Sequence, residues 1–477
     1  MLRQSLAALL IVYALPAFAS DATPVLKAGA AAVDITPEKF PVSVNGGFAD
    51  RMVEKSNDPL HVRALVVANE KQKMALVVVD SCMLPRELID EAKVSASRLT
   101  GIPTKNMLVS ATHTHTAPTA TGVFQSEPNA AYVRLLTGKI SDAIVQAHQN
   151  LGPAELGMGF ENAPTHLFNR RWKMKPGSIA ADPFGRTTDK VKMNPGHMNA
   201  NLVEPAGTID PELAMIFART VYGKPVAAFG TYGLHYVGDR PALSADYFGV
   251  FAEQVQTALK VENKDPKKPK FVGAMFNGTS GDVNNVNFKD AALKVEPGER
   301  SRLVAESLAS AAKKAYDNTK FMPDAILASA EEEIELKVRK PNAGDLKRAE
   351  EILKKAGDRV LKTAEEVYAR ETVLLDQYPD TVKLKVQAHR IGDVIITSIP
   401  CEVFTEIGLE LKKKPALKKE FTISLANGYN GYLPTPAQHK LGGYETWRAR
   451  SSYLEVNASE KIVKVLEKLR KEVAAVK

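Results

Sequence analysis

Between Leu65 and His148 the chain alternates short, wholly apolar runs with stretches of helical periodicity. Leu65-Val66-Val67 and Met74 to Val79 are two such runs, and Pro85 to Leu99 comes next with apolar residues at helical spacing. Met107-Leu108-Val109-Ser110 is a third run, ahead of an amphipathic helix over Ala130 to His148. Strand, helix, strand, helix in this order predicts a sheet covered by helices. The alternation continues on either side. Ala30 to Thr36 reads as a strand, Pro211–Val221 as a helix, and Val226–Gly230 as a strand. Ser244 is placed to cap a further helix, and Phe271 to Phe276 is a strand entering a glycine-rich turn.

Beyond Glu331 the style changes. Leu336-Lys337-Val338, Val382–Val386, Val394–Ile399 and Thr422–Asn427 read as strands, with helices from Phe404 and over Ala458–Val476. Ala343 to Tyr368 is rich in Lys, Glu and Ala with apolar residues at helical spacing, a helical excursion over residues 340–375. No repeat or low-complexity linker divides the chain. The expected fold class is α/β, with mixed β-sheets flanked by helices in a single large catalytic domain over residues 20–477.

Charge narrows the function classes. Sixty-three basic residues against 55 acidic ones give +8, spread along 477 residues with no concentrated basic stripe, which excludes a nucleic-acid partner. Arg3, the apolar stretch Leu6 to Leu15 and Ala17-Phe18-Ala19 read as a signal peptide over residues 1–19, hence a secreted or periplasmic protein. No later stretch has the roughly eighteen apolar residues of a transmembrane segment. Cys82 and Cys401 each stand beside a strand end, and either one disulfide or two small buried hydrophobes fits them. Two cysteines cannot build a thiolate metal site.

The chemistry gathers at predicted strand ends. Ala111-Thr112-His113-Thr114-His115-Thr116 comes after the Met107–Ser110 strand, and two histidines at i and i+2 on extended backbone point to one side. Imidazole is neutral often enough near pH 7 to bind zinc, while a second histidine handles a proton. The strand ending at Gly230 delivers His235 to a matching edge, with Asp246 downstream either as an acid that orients a histidine from behind or as a plain helix-start acid. Asn277-Gly278-Thr279-Ser280-Gly281-Asp282-Val283-Asn284-Asn285 is a tight polar loop whose free N–H groups suit an oxyanion or polar head, or else a hydrogen-bonded turn. It lacks a phosphate-loop lysine, which disfavours ATP chemistry. Glu402 ends a nearly all-apolar strand, where an unpaired buried carboxylate would be costly. Asn45-Gly46-Gly47-Phe48 is a loop suited to close approach of a ligand or to a surface turn.

Ala32-Val33-Asp34-Ile35-Thr36, the Ala111–Thr116 run, Asn169-Arg170, Gly281-Asp282-Val283, Glu402, and Asn430-Gly431-Tyr432 leading to Gly443-Tyr444-Glu445 occur in an order that resembles the neutral/alkaline (non-lysosomal) ceramidase family. These are zinc amidases that cleave the N-acyl bond of ceramide. The resemblance runs from about Ala30 to Tyr444. It implies zinc ligands at His113, His235, Glu402 and Tyr432, with His115 beside the attacking water. It further implies that Arg170 contacts substrate, that Tyr444 stands on the reacting amide side, and that Gly46 or Gly47 matches a turn glycine. Two departures stand out. The family's Gly-Asp-Val-Ser-Pro-Asn becomes Gly281-Asp282-Val283-Asn284-Asn285-Val286-Asn287, which excludes a serine acyl-enzyme and leaves the Asn284 amide as a hydrogen-bond donor in the serine's place. The family's C-terminal β-sandwich domain is missing from the sequence.

These residues together imply a zinc-dependent hydrolase, cleaving the amide of a small-molecule substrate, an N-acyl or lipid-like amide, through metal-activated water. His115 would take and return the proton, and Tyr444 or Arg170 would stabilise the oxyanion. A zinc esterase or other hydrolase, and a non-catalytic ligand-binding protein of the same fold, are the alternatives.

Overall fold

The computed structural model describes residues 26–262 and 269–477, so the expected leader over residues 1–19 lies outside them. Eight strands form the larger sheet: β1 (Lys27–Asp34), β2 (His61–Ala68), β3 (Lys73–Val79), β4 (Met107–Ala111), β5 (Gly152–Asn162), β6 (Glu212–Thr220), β7 (Pro225–Tyr232) and β8 (Val272–Asn277). Their order is β8-β7-β6-β5-β1-β2-β3-β4. Neighbours run antiparallel except at the two edges, where β3 pairs β4 and β7 pairs β8 in parallel. A second sheet, β9 (Leu327–Lys337), β10 (Thr381–Ile391), β11 (Val394–Ser398) and β12 (Lys419–Ile423), lies in that order and also ends in a parallel pair, β11 with β12.

The apolar runs reflect a sheet buried on both faces. Val62, Ala64 and Val66 of β2, with Ala75, Val77 and Val79 of β3, pack under α1 (Arg86–Thr100) and α2 (Ala130–Gln149). The intervening residues Leu65, Val67, Met74, Leu76 and Val78 share a core with Leu327, Ile391, Ile396, Phe421 and Ile423 of the second sheet. At roughly 1.5–3 kcal/mol for each buried Val, Leu or Ile, that interface is the main reason the sheets stay together. Helices α3 (Asp246–Ala258) and α4 (Glu299–Asn318) cover β6 to β8 through Phe217, Met275, Phe251 and Leu308. The outer face of the second sheet meets α8 (Ala458–Ala474), with α7 (Thr405–Lys413) alongside, through Ile395, Ile407, Ile462 and Leu466. The result is a mixed α/β fold of two packed sheets between layers of helix. No helix among the described residues is long and apolar enough to cross a membrane.

Several sequence expectations need correcting. Pro211–Val221 is not a helix: it holds β6, paired with β5 and β7, and Leu213 to Ala218 are all buried. An apolar run this short does not distinguish helix from strand, and a place between two partner strands decides it. The strand seen at Leu336-Lys337-Val338 begins at Leu327, its acidic stretch Glu331–Glu335 hiding it. The excursion is two helices, α5 (Ala343–Ala356) and α6 (Ala364–Asp376), broken at Gly357 (φ 62°) and restarted by a capping box between Thr363 and Glu366. The Thr422–Asn427 strand stops at Ile423, since Leu425 and Asn427 have φ of 53° and 64°. Cys82 and Cys401 are both buried free thiols, so the disulfide alternative falls.

Candidate metal centre

The three parallel pairs place the site. His113 lies just beyond β4, His235 just beyond β7, and Glu402 comes after β11 in a two-residue strand paired in parallel with Tyr432-Leu433. His113 Nε2 stands 3.1 Å from His235 Nε2. Glu402 Oε2 is 3.2 Å from His113 Nε2 and 3.8 Å from His235 Nε2. All three side chains are buried.

Their orientation is set by backbone. His113 Nδ1 is 2.8 Å from the Cys82 carbonyl and His235 Nδ1 is 3.1 Å from the Ser280 carbonyl. A carbonyl only accepts, so each Nδ1 carries the proton and each Nε2 presents a lone pair. With both imidazoles neutral, two lone pairs and a carboxylate oxygen without any hydrogen-bond partner then face one another in the buried interior. That arrangement repels itself unless a cation sits between them. Donor atoms on a tetrahedral zinc with bonds of about 2.0–2.1 Å are about 3.3 Å apart, close to the spacings here. The residues therefore fit a metal ion. Without an ion a proton takes that place: burial opposes charge on His113, but Glu402 and Cys82 push its pKa up to about 10. Burial would raise the Glu402 carboxyl, yet His113 and Arg170 hold it below the ordinary value.

The HxH pair is not on extended backbone as its spacing suggested. His113 adopts φ 72°, a conformation costing about 1 kcal/mol or more, and its N–H donates to Ser81 O at 2.9 Å. The chain then turns so that His115 Nε2 comes within 3.2 Å of His113 Nε2. The His115 ring stacks on Tyr236 with centroids 3.7 Å apart and planes at 15°. Burial, and then the charge of His113 and Arg170, keep His115 well below its ordinary pKa. It is neutral at pH 7 and able to accept a proton.

Arg170 and Tyr432 come to the same place by another route. Arg170 Nη2 donates to Tyr432 Oη at 3.0 Å and to Gly281 O at 2.9 Å, while its Nε donates to Glu445 at 3.2 Å. Arg170 thus holds Tyr432 against Glu402. Tyr444 stacks edge-on to Tyr432, with centroids 5.8 Å apart, and burial, then Glu402, raises its phenol pKa. Asn284 is different: its amide donates to Asn194 at 2.9 Å and accepts from the Val286 N–H at 3.0 Å, and no hydrogen bond joins it to His113, His235 or Glu402.

Three N–H groups of the glycine-rich loop are already committed. Those of Gly278, Gly281 and Val283 donate to Tyr232, Val403 and Ser280 carbonyls. Its role is support. A Cβ on Gly281 would meet Glu402 O at 2.6 Å, so only glycine lets the loop lie there. Asp282 ties Asn169 to the start of α7, accepting from Asn169 Nδ2 and the Thr405 N–H, both at 2.8 Å. Asp246 orients no histidine, contrary to one expectation: it accepts from the Val237, Gly238 and Tyr247 N–H groups and pins the loop after His235. Three contributors escaped sequence reasoning. Tyr236 stacks on His115, Tyr429 donates to Glu402 Oε1 at 3.0 Å, and Glu445 neutralises Arg170 and Arg171 together. Only Tyr236 had a usable signal, its place directly after His235.

No protein-family model matches this sequence, and no curated protein matches it. Solved structures do match. Neutral ceramidase from Pseudomonas aeruginosa superposes with a TM-score of 0.72 over 95% of this chain and 75% of that chain, at 16% identity. The chain has the neutral ceramidase fold. A ceramidase complexed with C2 agrees, with a TM-score of 0.68 at 14% identity and the same coverage of 95% and 75%. The fold resemblance anticipated from scattered motifs is therefore real in three dimensions. Within that neutral ceramidase fold, the buried His113–His235–Glu402 group is a site that could hold a metal ion.

Proposed function

We propose that this chain is a zinc-dependent hydrolase that cleaves the amide bond of an N-acyl compound, exported to the periplasm or medium by its first nineteen residues. One observation carries the reading: two imidazole Nε2 atoms and an orphaned carboxylate oxygen converge in the interior of a ceramidase fold. His113, His235 and Glu402 would hold the ion, with Tyr432 as a fourth group. A zinc ion bound there would polarise the scissile carbonyl and bring the pKa of water towards 7.

The rest belongs to the side chains. His115, neutral and stacked on Tyr236, accepts the proton of the attacking water and returns it to the leaving nitrogen. Tyr444 keeps its proton at any physiological pH and donates it as a hydrogen bond to the developing oxyanion. Arg170 acts through Tyr432, which it fixes beside Glu402. Elemental analysis of the purified protein tests the reading directly. About one zinc per chain is expected, falling to background in His113→Ala and His235→Ala proteins that remain folded by circular dichroism. Full metal content in both variants would eliminate the ligand assignment, and turnover of acyl esters without amides would eliminate the amidase.

A further inference from the structure

The loop Gly46-Gly47-Phe48, between short paired strands Val42–Val44 and Arg51–Val53, separates two hollows that both border it. The first, about 440 Å³, is lined by Phe48, Ile179, Val191, Met193, Tyr444 and Trp447. The second, about 700 Å³, is lined by Asn45, Arg51, His115, Thr116, Tyr236 and Arg240 among others. One is apolar and reaches the centre at Tyr444. The other is more polar, with Asp50, Arg51 and Arg240 beside Val44 and Met52, and reaches it at His115. A substrate whose reacting bond lies at the centre therefore has two chemically different arms.

The charges in the polar hollow are not equivalent. Arg240 is balanced by Asp58 at 3.2 Å, while Asp50, the acid of that lining, accepts from the Ser43 hydroxyl, which does not cancel its charge. Arg51 donates to Pro241 O at 3.0 Å and His115 O at 3.2 Å, and it has no carboxylate partner among the described residues. Backbone carbonyls hold this guanidinium in place without neutralising it.

Resting on the amidase reading above, we propose that the substrate is an N-acyl amino acid: its fatty acyl chain fills the hollow of Phe48, Tyr444 and Trp447, and its carboxylate-bearing amine part lies against Arg51. A second hydrocarbon chain in the polar hollow would strip water from Arg51 and Arg240 and give nothing back, at about 1–3 kcal/mol for each unsatisfied group. A carboxylate pairs with a guanidinium by charge-assisted hydrogen bonds. The direction also suits the chemistry. Water oxygen joins the acyl carbon, the C–N bond breaks, and the proton taken by His115 passes to the nitrogen on the same side as His115. The products are a fatty acid and an amino acid.

The test uses dodecanoyl amides of glycine, ethanolamine and ethylenediamine (anionic, neutral and cationic heads) together with a dodecanoyl ceramide. Binding is measured separately with dodecylsulfonyl-glycine and dodecylsulfonyl-ethanolamine, which keep head and tail but resist cleavage. The anionic head should be preferred about tenfold, seen in KM and in binding, with the preference lost in Arg51→Gln, kept in Arg51→Lys and turned towards ethylenediamine in Arg51→Glu. Equal or better use of ceramide or of the cationic amide overturns the inference, as does a preference that survives in Arg51→Gln. If amides are cleaved without charge preference, only this inference fails. If the sulfonyl-glycine is preferred through Arg51 yet no amide is cleaved, the subsite stands and the amidase reading fails. No binding and no cleavage would remove both.

Discussion

At Gly46 one added methyl group separates the roles of neighbouring residues. Its φ of 118° suits glycine, and a Cβ there would meet His115 Nδ1 at 2.2 Å. Gly46→Ala should displace His115 from Tyr236 while leaving His113, His235 and Glu402 untouched. Removing a positioned general base typically lowers rates about 10²- to 10⁴-fold, so kcat should fall by about 10² or more with zinc content unchanged. Loss of metal in that variant would show that His115 belongs to the ligand set. Glu445 offers the complementary case. It is fully buried and is the shared partner of Arg170 and Arg171. Glu445→Gln leaves two buried guanidiniums short of a counter-charge and should lower stability by about 3–5 kcal/mol, read by thermal or urea melts. His113, His235 and Glu402 were legible because each comes after an apolar strand, where a polar side chain has few reasons to be. Glu445 was not, because Arg170 lies 275 residues away along the chain.

At the scale of elements, legibility depended on whether local pattern and tertiary setting agree. The strands β2, β3 and β4 and the helix α2 read correctly because burial on both faces and on one face leave different patterns. β6 did not, because its apolar run suits either state until β5 and β7 flank it. The excursion was visible as helical, but nothing in its Lys- and Glu-rich composition showed what it does. α6 buries Tyr368 edge-on to Phe48 at 5.9 Å and to Trp447 at 5.6 Å, so the helix backs two residues that line the apolar hollow. Tyr368→Ala should cost about 3–5 kcal/mol, the usual range for truncating a buried aromatic. It should also raise KM for long-chain amides more than it lowers kcat, since the hollow loosens while His113, His235 and Glu402 stay put. Steady-state kinetics over a series of acyl lengths would check this, and an equal effect on acetyl and dodecanoyl amides would contradict it.

For the whole molecule, the question is what keeps the two sheets in register, since His113 hangs from one and Glu402 from the other. Apolar packing between them is non-directional, but a buried polar chain is not. Lys93 of α1 donates to Asn427, Asn427 donates to Gln387 of β10 at 2.7 Å, and Gln387 donates to Glu331 of β9 at 2.7 Å and to Met107 O of β4 at 3.2 Å. The Asn427 N–H also donates to Val109 O at 2.8 Å, two residues before the end of β4. A helix covering the large sheet thereby grips two strands of the second sheet, β9 and β10, and the strand that leads to His113. Lys93 is fully buried, and burial, countered by Glu331, brings its pKa down to about 7. In the unfolded chain the same amine titrates near 10.4. Between about pH 7 and pH 10.4 the unfolded state holds more protons than the folded one, so this lysine makes stability rise with pH across that window and lose the gain as pH falls back to 7. Lys93→Met removes the titration. The difference in unfolding free energy between wild type and Lys93→Met should therefore shift towards wild type by a few kcal/mol from pH 7 to pH 10, measured in urea. A difference that stays constant with pH would mean that Lys93 keeps its proton in the fold.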